Sequence, residues 1–305
     1  MKISVIIPTK DRKSVIESVE SIFLQEHLPN EIIIIDDGSI IPVKTFLEKE
    51  SHFNFNLTNV NTYRFENSQG VKKARNKGMQ IASGDILMFL DDDDTWEPKK
   101  VGNQVTLLTE RPEIGLVYTG RLMVNSCNRK KVLYKVPAQA SGKLYPKMLY
   151  RNIIGTISSV AIKKSLLSEV GYFDEKLPAW EDYDFLIRCC KSTTVDHDDS
   201  YNVRYTLPEK SHESSYQSNR GDRRKKAYKM LINKYQSDIE AEGLWGSRKI
   251  KSEKLFSVGR GMREQGVKQT IPWILKSFFM YPNLKALSLM FPIDILGYLK
   301  NILKK

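Results

Sequence analysis

Through the first 120 residues, short apolar runs alternate with segments whose apolar residues recur every three or four positions. Ile3–Ile7 is an apolar run closed by Pro8, which reads as a buried strand. Val15, Ile16, Val19, Ile22 and Phe23 fall on one helical face, and Ser14 with Glu17 has the spacing of a capping box that would start that helix. Ile32–Ile35 is β-branched throughout, too short for a helix, and ends in the turn sequence Asp36-Asp37-Gly38-Ser39. A weaker helical pattern over Thr45–Lys49 and a strand over Val60–Phe65 follow. Gly70 precedes a helix over Val71–Ala82, Gly84 closes it, Ile86–Leu90 is the next strand, and Pro98 marks a helix start. Apolar strands separated by helices predict a mostly parallel sheet covered on both faces.

The second half is less regular. Leu116–Tyr118 and Ser158–Ile162 read as strands, and Lys143–Tyr150, Lys164–Val170 and Asp182–Lys191 as helices, the last with Phe185, Leu186 and Cys189 inward. The segment Arg121–Thr156 shows no specific pattern. Beyond Arg220 the periodicity is helical over Arg223–Tyr235, Ser252–Gln265, Ile271–Tyr281 and Leu284–Leu303, punctuated by Pro282 and Pro292. A boundary near residue 220 follows, with residues 1–220 as one domain and 221–305 as a helical extension.

Charge sharpens that boundary. Lys and Arg outnumber Asp and Glu by 20 to 9 in residues 209–305, but only by 28 to 27 before them. A neutral body with a basic tail argues against a uniformly basic nucleic-acid binder, and the tail suits an anionic partner. Trp273, Ile274, Phe278, Phe279, Leu296, Leu299 and Leu303 form apolar faces flanked by lysines, which favours membrane lipid over nucleic acid as that partner. Helices packing on the body explain the same faces equally well. Cys127, Cys189 and Cys190 form neither a disulfide framework nor a metal-ligand spacing. No run reaches the ~18 apolar residues of a spanning helix, and the chain starts directly in an apolar strand rather than a signal peptide. These features predict a cytoplasmic protein, with any membrane contact peripheral.

Polar clusters lie at three strand ends: Thr9–Arg12, Asp36–Ser39 and Asp91–Asp94. In parallel sheets ligands bind at the carboxyl ends of strands, so topology brings these clusters together. Four adjacent aspartates repel one another unless a cation is present, and hard divalent ions such as magnesium or manganese take carboxylate oxygens and hold phosphates. A solvated acidic loop is the competing reading. Asp37 suits a turn and, functionally, an acceptor for a nucleobase N–H. Arg75 sits near the start of a helix, where anions are favoured, while Lys72, Lys73 and Lys77 fit an exposed basic face. Glu181, Asp182 and Asp184 open a helix, which acids favour electrostatically, and one of them suits a general base. His212 lies in the polar loop Glu209–Ser215, as a surface histidine or a metal or diphosphate contact.

The stretches VIIPTKDR, IIIIDDGS, GVKKARNKG, ASGDILMFLDDDD and GYFDEKLPAWEDYDF, in this order and spacing, resemble family 2 glycosyltransferases of the GT-A fold over residues 1–215. The resemblance implies an α/β fold of GT-A type: a mostly parallel Rossmann-like sheet with helices on both faces, here with a helical C-terminal extension. It divides residues 1–119 as a nucleotide-sugar-binding half from 120–220 as an acceptor-binding half. It implies uridine contacts from Thr9 and Asp37, with Pro8 in the same strand-end loop, and a base or diphosphate contact from Arg75. Asp91 and Asp93 match the family's acidic metal motif, with Asp93 the direct ligand of manganese or magnesium and Asp91 or Asp92 on the ribose. His212 resembles a histidine near the metal, and Asp182, beside Glu181, resembles the catalytic base. The implied reaction is inverting transfer from a nucleotide-sugar donor, UDP-linked, to a hydroxyl of a glycan or lipid-linked acceptor. Surface polysaccharide or glycolipid assembly is the setting it suggests. A sugar nucleotidyltransferase would carry a glycine-rich phosphate loop after the first strand, where this chain has Thr9-Lys10-Asp11-Arg12-Lys13. A non-catalytic module gripping membrane or nucleic acid is the remaining alternative.

Overall fold

A computed structural model describes residues 1–49, 58–207, 220–263 and 267–282. The helix expected over Leu284–Leu303, and His212, lie outside the described residues. The chain divides into two compact units. One comprises Met1–Met148, Asn152–Glu175 and Glu181–Glu209, and the other Leu149–Arg151, Lys176–Trp180 and Lys210–Lys305.

The first unit is organised by a seven-stranded sheet. Its strands are β1 (Ile3–Thr9), β2 (Glu31–Asp36), β3 (Asn59–Arg64), β4 (Ile86–Phe89), β6 (Ile114–Tyr118), β9 (Val160–Lys163) and β10 (Thr194–His197), in spatial order β10-β6-β9-β4-β1-β2-β3. All run parallel except β9, which is antiparallel to both β4 and β6. Every residue of β1, β2, β4 and β6 is buried, as apolar runs with both faces covered require. The edge strand β3 is polar and mostly exposed, so that edge offers little apolar surface to another chain. Gly78 on helix α3 (Val71–Ile81) lies against Ile6 of β1, where a Cβ would meet the isoleucine methyl at 2.4 Å; only glycine lets helix and strand approach so closely.

A second, four-stranded sheet was not legible in the sequence. It contains β5 (Thr95–Trp96), β7 (Arg121–Asn125), β8 (Asn128–Val136) and β11 (Val203–Leu207), in the order β5-β11-β7-β8. The segment without a readable pattern thus supplies a β7–β8 hairpin.

Local details differ from expectation as well. Ser14 has helical dihedrals and makes no side-chain cap, so the capping box at α1 (Val15–Phe23) does not form. Pro98 precedes α4 (Lys100–Glu110) by two residues instead of opening it. The expected helix over 164–170 is a 3-10 turn, Lys164–Leu166, followed by one turn of α-helix, Leu167–Val170. Cys189 and Cys190 are buried in α7 (Glu181–Ser192), and burial pushes both thiols up, the latter to about 12, as core packing requires.

The second unit is helical where described: α8 (Arg220–Lys234), α9 (Gln236–Ala241), α10 (Gly243–Met262) and α11 (Val267–Met280). Helix α10 packs against both α8 and α11. Glycines permit this, since a Cβ at Gly259 would stand 2.7 Å from Ile274 and one at Gly221 2.4 Å from Met262. Among the described residues no helix is long and apolar enough to cross a membrane.

Candidate active site

The strand ends of β1, β2 and β4 meet at one edge of the large sheet. Parallel register sets Thr9 beside Asp36 and Pro8 beside Ile35. The Asp37 amide donates to the Thr9 carbonyl at 2.8 Å. The turn after β2 is held by Asp36, whose carboxylate accepts from the amides of Ser39 and Val43 at 2.8 and 2.9 Å. Asp37 points the other way. Its carboxylate accepts from the amides of Gln69 and Gly70 and from the Ser68 hydroxyl, 2.6–3.1 Å away, and so clamps the entry to α3.

The four aspartates after β4 divide into two kinds. Asp94 is 1% exposed and accepts from the Ser158 hydroxyl at 2.7 Å and the Thr206 amide at 3.0 Å. Burial, then the charges of Asp91 and Asp93, raise its carboxyl well above the ordinary value. Asp92 is also buried and accepts from the Thr9 hydroxyl at 2.8 Å; burial raises it to about 6 against the pull of Arg12. Asp91 and Asp93 keep side chains that are 26% and 40% exposed. Partial burial and the Asp91 charge raise Asp93.

Two arginines face this cluster. Arg12 Nη1 bridges Asp92 at 2.9 Å and Asp93 at 2.6 Å. The buried Arg75 donates from Nη2 to Asp91 at 2.5 Å, and its guanidinium lies 5.5 Å from the centre of the Phe173 ring. Arg75 Nε is buried with no hydrogen-bond partner among the described residues. Arg12 was legible only as part of a strand-end cluster, and its pairing with two aspartates was missed. Ser158 and Thr206 gave no signal at all, because they reach Asp94 from far along the chain.

Helix α7 brings acids from another direction. Asp184 is fully buried and paired with Arg188 at 3.0 Å. Asp182 accepts from the Tyr183 amide at 2.7 Å. It lies close enough to Arg75 and Asp91 for their charges to act on its carboxyl, which burial and then Glu181 raise to about 6. Glu181 and Asp182 in turn both act on Arg75. The sequence-predicted residues Pro8, Thr9, Asp37, Arg75, Asp91, Asp92, Asp93, Glu181 and Asp182 therefore share this end of the sheet.

An α/β sheet with a run of aspartates at a strand end and a helix of acids facing it is one of several ways to handle a nucleotide, and comparison with known proteins decides among them. Residues 4–171 match Glycosyl transferase family 2. The chain belongs to this family. Its relatives include a glycosyltransferase of Haemophilus influenzae, 30% identical over 187 residues that make up 61% of each chain. The amylovoran biosynthesis glycosyltransferase AmsB of Erwinia amylovora is 25% identical over 193 residues, or 62% of this chain and 64% of that one. This family 2 chain also resembles solved structures. TarS 1–349 of S. aureus in complex with UDP-GlcNAc aligns with a TM-score of 0.59 at 18% identity, covering 92% of this chain and 90% of that one. Mannosyltransferase PcManGT of Pyrobaculum calidifontis, in complex with GDP-Man and Mn2+, aligns with a TM-score of 0.57 at 17% identity, covering 95% and 78%. The fold is that of GT-A glycosyltransferases, as the sequence resemblance implied.

Proposed function

We propose that this family 2 glycosyltransferase is a metal-dependent, inverting hexosyl or related transferase. It moves a sugar from a UDP-linked donor to a hydroxyl of a glycan or lipid-linked acceptor in surface polysaccharide or glycolipid assembly. The observation that carries the reading is the meeting of Asp91 and Asp93 with Arg12, Arg75 and the acids of α7 at one sheet edge. TarS with UDP-GlcNAc and PcManGT with GDP-Man support a nucleotide-sugar donor, and AmsB, named for amylovoran biosynthesis, supports the polysaccharide setting. In this reading residues 1–119 hold the nucleotide sugar, 120–220 the acceptor, and 221–305 extend the catalytic domain. The chain works in the cytoplasm, against the inner face of the membrane.

The donor set fits a hard divalent ion. The described donors are carboxylate oxygens, and a cation would offset the burial and the repulsion from neighbouring acids that together raise Asp93 and Asp94. No group of three or more such ligands stands preassembled among the described residues, so diphosphate oxygens would complete the coordination. Asp93, with Asp91, would hold manganese or magnesium, and His212 is a further contact in this proposal. The chemistry supplied by the bound ion is neutralisation of the charge that grows on the departing diphosphate. Asp91 or Asp92 orients the ribose, while Thr9 and Asp37 orient the uracil. Arg75 offers its buried Nε and its positive charge to the diphosphate or base. Asp182 takes the proton from the acceptor hydroxyl as that oxygen attacks the anomeric carbon from the face opposite the leaving group. A carboxyl raised to about 6 is a stronger base than an ordinary aspartate and is still ionised near neutrality.

Calorimetry of UDP binding tests the assignment. Binding should weaken in chelator and in Asp93→Asn, and should survive in Asp182→Asn. UDP binding untouched by both chelator and Asp93→Asn would overturn it.

A further inference from the structure

The helical unit carries a cleft of about 620 Å³ between α8, α10 and α11. Its floor and walls are apolar or aromatic, chiefly Trp273, Leu275, Phe279 and Met280 of α11 with Tyr228 of α8. Its rim carries four cations, Lys225, Lys229, Arg248 and Lys276, and among the described residues no acidic side chain lines it. Lys225 and Lys276 both stand over the Trp273 ring, 5.6 and 5.3 Å from its centre, a contact that leaves their positive charge intact. Beside the cleft, Arg248 lies 5.6 Å from the Trp245 ring. Trp245 is 66% exposed, its neighbour Leu244 is 71% exposed, and Phe279 at the cleft itself is 71% exposed. Aromatic and aliphatic side chains offered to solvent beside lysines are the chemistry of a polar–apolar boundary layer.

Resting on the membrane-facing reading above, we infer that this cleft docks the enzyme on an anionic phospholipid surface. The rim would meet headgroup phosphates, and Phe279, Trp245 and Leu244 would enter the acyl boundary. Charge complementarity selects this occupant. The chain beyond Pro282 carries four lysines and one aspartate, three of the lysines in its last six residues, so its basic end is disfavoured at a cationic rim and truncation after Pro282 tests the rest as the filler. A second copy of the same face would repel for the same reason. Nucleic acid would satisfy the rim but leaves the aliphatic floor of Leu275 and Met280 unexplained.

The test is co-sedimentation of the full chain with phosphatidylglycerol–phosphatidylcholine vesicles and with phosphatidylcholine vesicles alone, beside donor hydrolysis measured without lipid. Binding should require the anionic lipid and fall with salt. At about fivefold per lysine, the triple variant Lys225→Gln, Lys229→Gln, Lys276→Gln should bind on the order of a hundredfold more weakly. Phe279→Ser, at an exposed site, should weaken binding by about tenfold. Both variants should hydrolyse the nucleotide sugar at the parent rate, so a dead hydrolysis reaction would count against the catalytic reading and not against the docking face. Equal binding to neutral vesicles, or anionic binding unchanged in both variants, overturns the inference. So does binding lost on truncation after Pro282 but retained in the triple variant. Tighter binding of a single-stranded oligonucleotide than of anionic vesicles, abolished in the triple variant, would assign the face to nucleic acid.

Discussion

Two acidic runs face each other at the edge of the large sheet, Asp91–Asp94 after β4 and Glu181–Asp184 at the start of α7. Both mix carboxylates of two kinds. In the first, Asp94 is buried and saturated by Ser158 and Thr206, while Asp93 keeps a side chain that is 40% exposed. In the second, Asp184 is fully buried against Arg188, while Asp182 feels the charges across the site. Each run therefore uses one acid to fix its own geometry and leaves another with oxygen to spare. Repulsion among the spare acids is tolerated because the fixed ones and the arginines hold them in place, and a bound cation or proton relieves it.

The comparison breaks most sharply at the members left with oxygen to spare. Asp182→Asn should lower transfer by roughly 10²–10⁴-fold with UDP binding retained, measured by steady-state rates beside calorimetry. A loss of tenfold or less would move the base elsewhere on α7. At the fixed members the effect should be on folding. Asp184→Ala leaves Arg188 without its carboxylate and should cost about 3 kcal/mol in urea unfolding. Asp94→Ala leaves the Ser158 hydroxyl and Thr206 amide unpaired and should cost about 2 kcal/mol. A smaller effect distinguishes the two kinds by sign. The folded pKa of Asp182, about 6, lies above the ordinary 3.8, so the folded state favours its proton. Its contribution to stability is then greatest in acid and declines as pH rises through about 6. Metal-free Asp182→Asn should consequently be more stable than the parent by about 1 kcal/mol near pH 8, the gap closing below about pH 4. Transfer by the parent should rise with pH through the same range.

What was legible follows from burial. The strands β1, β2 and β4 are covered on both faces and appear as unbroken apolar runs, so their ends, and the acids at those ends, could be found by reading the chain. The second sheet could not. Its strand β5 has two residues, and β8 reads NRKKVLYKV, mostly exposed. Both are strands because of partners distant in sequence, not because of their own pattern. The same holds within the site. That Asp91–Asp94 was chemically special was plain from four adjacent charges. Which acid is structural was hidden, because the answer depends on Ser158 and Thr206, 64 and 112 residues away. Ser14 shows the converse, a correct local spelling that the backbone does not use.

Strand β9 runs against its neighbours, and its first residue, Val160, is the register partner of Tyr118, the last residue of β6. Residues 119–159 are therefore an excursion closed at its own base, leaving the sheet and rejoining it at adjacent rungs. Such an insert behaves as a cassette. Its outer hairpin, β7–β8, could be lengthened or trimmed while β4, which leads into the aspartates, stays anchored between β1 and β9. In the proposed reading, new acceptor preferences would run through that outer hairpin, whereas Ser158 at the base of the insert, which holds Asp94, would have to stay.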